Sequence, residues 1–312
     1  MSSIKTSAAF LLIVFVLCSL AGAQETSTVT EPTGIFKVYD GGGLRRGELT
    51  FASQTAGDQS LDSKLMARKM PYNVIVPAKY DAKENATVKY PVIYLLHGLT
   101  GKYDNWPTRT KLQEYAKSVD AIIVSVEGAN GWYTDSFTDV NDKYESYIIQ
   151  ELVPEVEKKF RADSRREKRA IAGLSMGGYG ALKFGIKYPQ MFVLAGSFSG
   201  ALGAATYPDL GRSDASLNSL KTVFGPADSD LRKANDIFSL IRQATPEQIK
   251  ALPFLYVDCG TEDFLFSNNQ EFMNLLVQKK VVHEFRQLPG AHTWPYWDKQ
   301  IQEFLRLAAR TF

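Results

Sequence analysis

Apolar positions follow two rhythms along this chain. Val92-Ile93-Tyr94-Leu95-Leu96 is an unbroken apolar run, the pattern of a strand covered on both faces. Residues 121–126, 169–174, 192–198 and 254–257 repeat it. Between these runs, residues 111–118, 144–160, 177–188 and 268–279 space their apolar side chains as amphipathic helices do, and 296–310 reads as a closing helix. Buried strands alternating with helices predict one α/β domain, a mostly parallel sheet with helices on both faces. Residues 46–54 and 68–76 alternate as antiparallel edge strands, the second stopping at Pro77, and 281–288 alternates as a late strand. The stretch 201–251 is too long for an ordinary connection. Its short helical patches, broken by Gly and Pro, predict a partial lid or pocket wall.

The first residues carry a different pattern. Met1 to Lys5 is a short basic start, Ala8 to Leu20 is apolar, and Ala21-Gly22-Ala23 supplies small residues before Gln24. That is the grammar of an export signal, with cleavage expected after Ala23 and a secreted or periplasmic product. The apolar run is shorter than the ~20 residues a membrane span needs. The expected organisation is therefore a signal at 1–23, a polar leader at 24–45 and the α/β domain at 46–312, with no stable membrane partner once the signal is removed. Removing the signal takes away Cys18 and leaves Cys259 as the one thiol, so no internal disulfide is expected.

Composition narrows the function classes. The 312 residues are 45% hydrophobic with a net charge of +2 and no run of like charge, which argues against nucleic acid as a partner. No metal-ligand spacing and no phosphate-binding loop is visible, so no cofactor is expected.

One segment carries specific chemistry. In Gly173-Leu174-Ser175-Met176-Gly177, glycines flank a serine at the point where a buried strand turns into a helix. A serine on so sharp a turn has no room for side chains two residues to either side, and the turn presents its hydroxyl above the sheet. The plainer reading is a glycine-rich turn that serves helix packing. A serine hydroxyl needs a base to become a nucleophile. The chain has three histidines, and only His283 and His292 follow Ser175, the order such sheets use. His283 falls inside the alternating strand, whereas His292 sits in a loop before the last helix, so His292 is the candidate base. The orienting acid should lie on the loop after residues 254–257. Asp258 stands at the strand end, and Glu262 and Asp263 lie past Gly260; Asp263 is preferred and Glu262 is the runner-up. Backbone N–H groups of Met176 and Leu99 are candidate oxyanion donors. Trp106, Trp132 and Trp294 fall on loops near these residues and suggest an apolar substrate pocket, whereas Trp297 serves equally well as an anchor for the last helix.

Several longer segments, taken in order, resemble the esterase D family of serine esterases, and within it the bacterial tributyrin (acetyl) esterases. They are His97-Gly98-Leu99-Thr100-Gly101, Gly131-Trp132-Tyr133-Thr134-Asp135, Glu151-Leu152-Val153-Pro154, Gly173 to Gly180, Ser197 to Leu202, Cys259 to Leu265 and His292 to Trp297. The resemblance implies an α/β-hydrolase fold, metal-free hydrolysis of short-chain acyl esters, and a triad of Ser175, Asp263 and His292. Relatives include S-formylglutathione hydrolases, feruloyl and acetylxylan esterases, and mycolyltransferases. The expected function is a secreted serine carboxylesterase acting on small esters or acylated carbohydrate. The alternatives are an acyltransferase to a sugar acceptor and a formylglutathione-type thioesterase, the latter disfavoured by the export signal. A non-enzymatic glycan-binding protein would have no need of all three triad residues.

Overall fold

The structure is a computed structural model that describes residues 35–40, 43–48, 55–207 and 215–312, with side chains for 56–207 and 219–312. The export segment expected at 1–23 lies outside the described residues. The chain divides into two compact units, Met1–Phe51 and Ala52–Phe312. In the first, strands β1 (Ile35–Asp40) and β2 (Gly43–Glu48) pair as an antiparallel hairpin. The hairpin straddles the boundary drawn at residue 45, and the strand expected at 46–54 is described only to Glu48.

The second unit is organised around eight strands: β3 (Thr55–Ser63), β4 (Arg68–Ile75), β5 (Val92–Leu96), β6 (Ile122–Val126), β7 (Arg169–Leu174), β8 (Leu194–Phe198), β9 (Phe254–Gly260) and β10 (His283–Leu288). Their order in the sheet is β10-β9-β8-β7-β5-β6-β4-β3. Neighbours from β10 to β6 are parallel, while β4 runs antiparallel to β6 and β3 antiparallel to β4. β4 is thus one strand in from the edge, and β3 forms the edge itself. The sequence Thr-Ala-Gly-Asp-Gln-Ser-Leu-Asp-Ser of β3 has too few apolar positions to be read as a strand. It is held by its backbone ladder to β4, with Ala56 and Leu61 packed on the core.

Every residue of β5, β6, β7 and β8 is buried, which explains their continuous apolar runs. Alternate side chains go to opposite layers. Val92, Tyr94 and Leu96 join Tyr179, Leu182 and Phe184 on one face. Ile93 and Leu95 join Ile301, Phe304 and Leu305 of the last helix, Trp294–Thr311, on the other.

The helix expected over 144–160 is continuous but contains a change of pitch: Tyr144–Tyr147 is α, Ile148–Leu152 is π, and Val153–Lys159 is α again. Pro154 supplies no N–H, and the wider π turn accommodates its ring. The stretch 201–251 folds as short helices, Ala215–Phe224, Asp230–Asn235, Ile237–Gln243 and Pro246–Ala251, with residues 208–214 outside the described set. Leu220, Phe224, Ile237 and Ile241 bury themselves in the first core layer. Among the described residues, no helix is long and apolar enough to cross a membrane.

Candidate active site

The residues singled out by motif lie on loops that leave the carboxyl ends of parallel strands, where open α/β sheets place their ligands. Ser175 follows β7, Asp263 follows β9, His292 follows β10, and His97-Gly98-Leu99 follows β5.

Ser175 occupies the strained backbone region φ 53°, ψ −115°, between β7 and the helix Met176–Lys187. Its neighbours hold it there. Ser175 N–H donates to Phe198 O at 2.9 Å, and its carbonyl accepts from Tyr179 N–H at 3.1 Å and Ala201 N–H at 3.0 Å. The flanking glycines are a matter of contact distance. A Cβ on Gly173 would stand 2.4 Å from the Gly177 carbonyl, and one on Gly177 would stand 2.4 Å from the Leu96 oxygen. A side chain at either position would push the helix off the sheet.

His292 Nε2 accepts from the Ser175 hydroxyl at 3.0 Å. On the far side of the ring, Nδ1–H donates to Asp263 Oδ2 at 2.8 Å. A carboxylate can only accept, so the proton sits on Nδ1 and Nε2 is left free for the serine. Asp263 Oδ1 accepts from Leu265 N–H at 2.8 Å, which fixes the carboxylate in turn. The Asp263 side chain is fully buried, whereas that of His292 is 19% exposed, so the hydrogen-bonded chain runs from the interior to an accessible edge. The loops carrying the two residues are stitched together by Thr261 N–H to Leu288 O and Glu262 N–H to Gly290 O, both 2.9 Å. They meet so closely that a Cβ on Gly260 would stand 2.1 Å from the Gly290 oxygen.

The two other carboxylates considered for the acid stand apart. The Glu262 side chain is exposed, and Asp258 is wholly buried in β9. Burial pushes the Asp258 carboxyl well above the usual range; the nearby Tyr256 and Tyr296 hydroxyls and Arg286 oppose this without reversing it. Neither of its oxygens, nor either tyrosine hydroxyl, reaches hydrogen-bond geometry. His283 Nδ1 lies 2.6 Å from the Val281 carbonyl at the opposite end of β10. Cys259 is buried, and desolvation raises its thiol far above the range of a reactive thiolate.

Both candidate oxyanion donors border Ser175. Met176 opens its helix, so its N–H has no intrahelical acceptor. Leu99 follows Gly98, where a Cβ would stand 3.3 Å from Ser175 Cβ, so the backbone of this loop passes directly beside the serine. Leu99 N–H has no acceptor among the described residues.

The tryptophans require a correction. Trp106 is 1% exposed in the second core layer, its indole N–H donating to Leu96 O at 3.0 Å. Trp132 is 4% exposed in the first layer, its N–H donating to Ser219 Oγ at 2.9 Å. An indole whose single donor finds an interior partner can be buried whole, so these two support the loops instead of lining a pocket. Trp294 is half-buried, packed edge-on against Trp106 and Trp297. Trp297 packs at right angles to His292, ring centroids 4.9 Å apart. The exposed aromatic surface at the site belongs to a residue the motif reading did not single out. Phe264 is 69% exposed with its ring 4.7 Å from the His292 imidazole. Its position immediately after Asp263 was the one available signal.

Among the described residues, no three His, Cys, Asp or Glu side chains gather as a metal-ligand group. The arrangement brings together a hydroxyl, an imidazole with a fixed tautomer, a buried carboxylate and two N–H groups without acceptors among the described residues.

Known proteins agree with this architecture. Residues 63–307 match the model of the Esterase family. The chain is 30% identical over 247 residues to an acetyl esterase of Caldicellulosiruptor saccharolyticus, covering 77% of this chain and 92% of that protein. It is 25% identical over 242 residues to a diacylglycerol acyltransferase/mycolyltransferase Ag85C of Mycobacterium leprae, covering 67% of this chain and 71% of that one. A solved ferulic acid esterase superposes with a TM-score of 0.71 at 28% identity, over 84% of this chain and all of the other. The chain belongs to the Esterase family, with an α/β-hydrolase fold, and is a carboxylic ester hydrolase.

Proposed function

We propose that Ser175, His292 and Asp263 are the catalytic triad of an exported esterase for short-chain acyl esters, including acylated carbohydrate. The observation that carries this reading is the continuous hydrogen-bonded chain from Ser175 through His292 to Asp263. His292 Nε2 takes the proton as Ser175 Oγ attacks the ester carbonyl carbon. The developing oxyanion is met by the Met176 and Leu99 N–H groups. The tetrahedral intermediate collapses, His292 returns the proton to the departing alcohol, and an acyl-enzyme remains. Water then repeats the sequence, with its proton passing to His292, and releases the acid while restoring Ser175. Asp263, hydrogen-bonded to Nδ1–H, stabilises the transient imidazolium. The acetyl esterase and ferulic acid esterase relatives support acetyl and feruloyl esters as substrates. The exposed Phe264 ring beside His292 offers an apolar surface to one half of the ester. The basic, apolar and small-residue order of residues 1–23 supports export.

The test is Ser175→Ala, assayed on p-nitrophenyl esters of increasing acyl length and on acetylated and feruloylated xylan. In a serine protease with the same constellation, the analogous loss costs on the order of 10⁶ in turnover. A comparable collapse is expected here, together with loss of fluorophosphonate labelling. Activity within tenfold of the parent would sink the reading. Product analysis with a sugar acceptor present separates hydrolysis, which releases free acid, from acyl transfer, which yields the acylated sugar.

A further inference from the structure

His97 is buried, 1% exposed, and stands outside the triad, yet both of its ring nitrogens are engaged. Gly128 N–H lies 3.0 Å from Nε2 and 3.1 Å from Glu127 Oε1, and is shared between the two. A carbonyl oxygen can only accept, so Nδ1 carries a proton and donates it to the Gly98 carbonyl at 2.7 Å. The same carbonyl accepts from Gly101 N–H at 3.0 Å. The loop is braced from outside as well. Tyr133 Oη–H donates to the His97 carbonyl at 2.9 Å, and Thr100 N–H donates to Asn130 Oδ1 at 2.8 Å. Glu127 lies 3.4 Å from Nε2 and accepts from the N–H groups of Tyr103 and Ala129, which steadies the segment that presents Gly128.

The consequence is stereochemical. The Gly98 carbonyl and the Leu99 N–H belong to one planar trans peptide, so they point in opposite directions. Anchoring the oxygen on the imidazole sets the direction of the N–H on the other side of that plane. Glycine at 98 allows the backbone to pass beside Ser175, but it also leaves this peptide free to rotate. A rotated peptide would turn a carbonyl toward the developing oxyanion, replacing attraction with repulsion.

We propose that His97 is a positioning residue for acyl transfer: by holding the Gly98 carbonyl through Nδ1–H, it aims the Leu99 N–H at the substrate oxygen that becomes negative. This rests on the reading of Ser175 as nucleophile. Acylation and deacylation both pass through an oxyanion, so turnover depends on the anchor whichever step is slower.

The experiment compares His97→Leu, His97→Asn and His97→Gln with the parent and with Ser175→Ala. The amide of Asn can overlay Nδ1 and donate to the Gly98 carbonyl. Gln reaches toward the place of Nε2 and leaves that carbonyl free, and Leu donates nothing. Losing one oxyanion donor costs about 10²–10³ in kcat in a well-studied serine protease. His97→Leu and His97→Gln should lose that much with KM nearly unchanged, while His97→Asn stays within about tenfold of the parent. Affinity for a trifluoromethyl ketone, which binds as a tetrahedral oxyanion, should fall by the same factor as kcat/KM, and affinity for the product acid should not change. If the Leu variant does not fold, the Asn and Gln pair decides, with folding checked by thermal melts. A folded Leu or Gln variant within threefold of the parent kcat overturns the proposal, and so does an Asn variant as slow as the Gln variant. An active Ser175→Ala would instead overturn the nucleophile itself.

Discussion

Asp263 and Glu262 are chain neighbours with opposite fates, one buried against His292 and the other in solvent. Asp263→Asn would let the amide donate to Nδ1, moving the ring proton to Nε2 and leaving Ser175 without an acceptor. The analogous change in a serine protease costs about 10⁴ in turnover, and a loss of that order is expected here. Glu262→Gln should leave kcat within threefold. Steady-state assays of the two variants side by side decide between the positions. Asp258 yields a different kind of prediction. Burial raises its carboxyl well above the ordinary range, so the folded protein keeps a proton that the unfolded chain releases above about pH 4. The stability linked to this group is fully present below that pH and is lost as the pH rises toward the folded-state value. Asp258→Asn removes the titration. Its melting temperature relative to the parent should therefore climb between pH 4 and pH 8, and a flat difference across that range would show that the carboxyl ionises normally.

At the scale of elements, the turn between β7 and the helix Met176–Lys187 depends on backbone contact. Leu96 O and His97 O occupy the space that a Cβ on Gly177 would need, at 2.4 and 2.6 Å. Both are main-chain atoms of the strand and loop that also carry the Gly98–Leu99 peptide, so neither can rotate aside as a side chain could. Gly177→Ala should cost about 3 kcal/mol in urea unfolding, at the upper end of overpacking effects, and slow turnover by displacing Met176. Stability unchanged within 0.5 kcal/mol, a margin typical of exposed surface substitutions, would show that the helix has slack here. Elsewhere, periodicity located the elements and packing adjusted their ends. The apolar runs at 169–174 and 92–96 coincide with β7 and β5, because a strand buried on both faces writes itself as continuous apolar sequence. β3 left no such trace, since its stability comes from main-chain hydrogen bonds that any sequence can make.

A buried charge arrangement ties distant parts of the chain together. Lys183, fully buried on the helix that follows Ser175, donates to Tyr133 O at 2.6 Å, Thr134 Oγ1 at 2.7 Å and Glu145 Oε2 at 2.8 Å. Glu145 also meets Lys187 at 2.6 Å and accepts from the Tyr188 hydroxyl at 2.7 Å. Burial works against the charged carboxylate, but the two lysines outweigh it and bring Glu145 down to about 2. A depressed carboxylate contributes stability that is present above its unfolded pKa and is lost as the pH falls through the folded value. Glu145→Gln should therefore flatten the acid limb of the stability curve between about pH 4.5 and pH 2, a window worth roughly 3 kcal/mol. Breaking a buried pair from one side typically costs 3–5 kcal/mol. Lys183→Met should fall in that range, while Lys183→Met with Glu145→Leu recovers part of the loss. Chemical unfolding at pH 4 and pH 7 measures both effects. Equal losses in the single and double variants would mean that the cost lies in packing and not in the unpaired carboxylate.

The sequence by itself determined the alternation of buried strands and helices, the strained serine turn and the loop position of His292. Each of these is a local property, written in period, in flanking glycines or in chain order. What only the tertiary structure decided is which groups meet. Glu145 and Lys183 are 38 positions apart, and Gly128 and His97 are 31 apart. Nothing in either segment announces its partner, because partners are chosen by how the sheet brings loop ends together. The same holds for the burial of Asp263 against His292 while Glu262, one residue away and alike in chemistry, stays exposed. It holds too for Trp106 and Trp132, whose indole donors found interior acceptors and drew the rings into the core. Local pattern sets what a residue can do, and the three-dimensional neighbourhood sets which of those possibilities is free of an unpaired polar group or a steric clash.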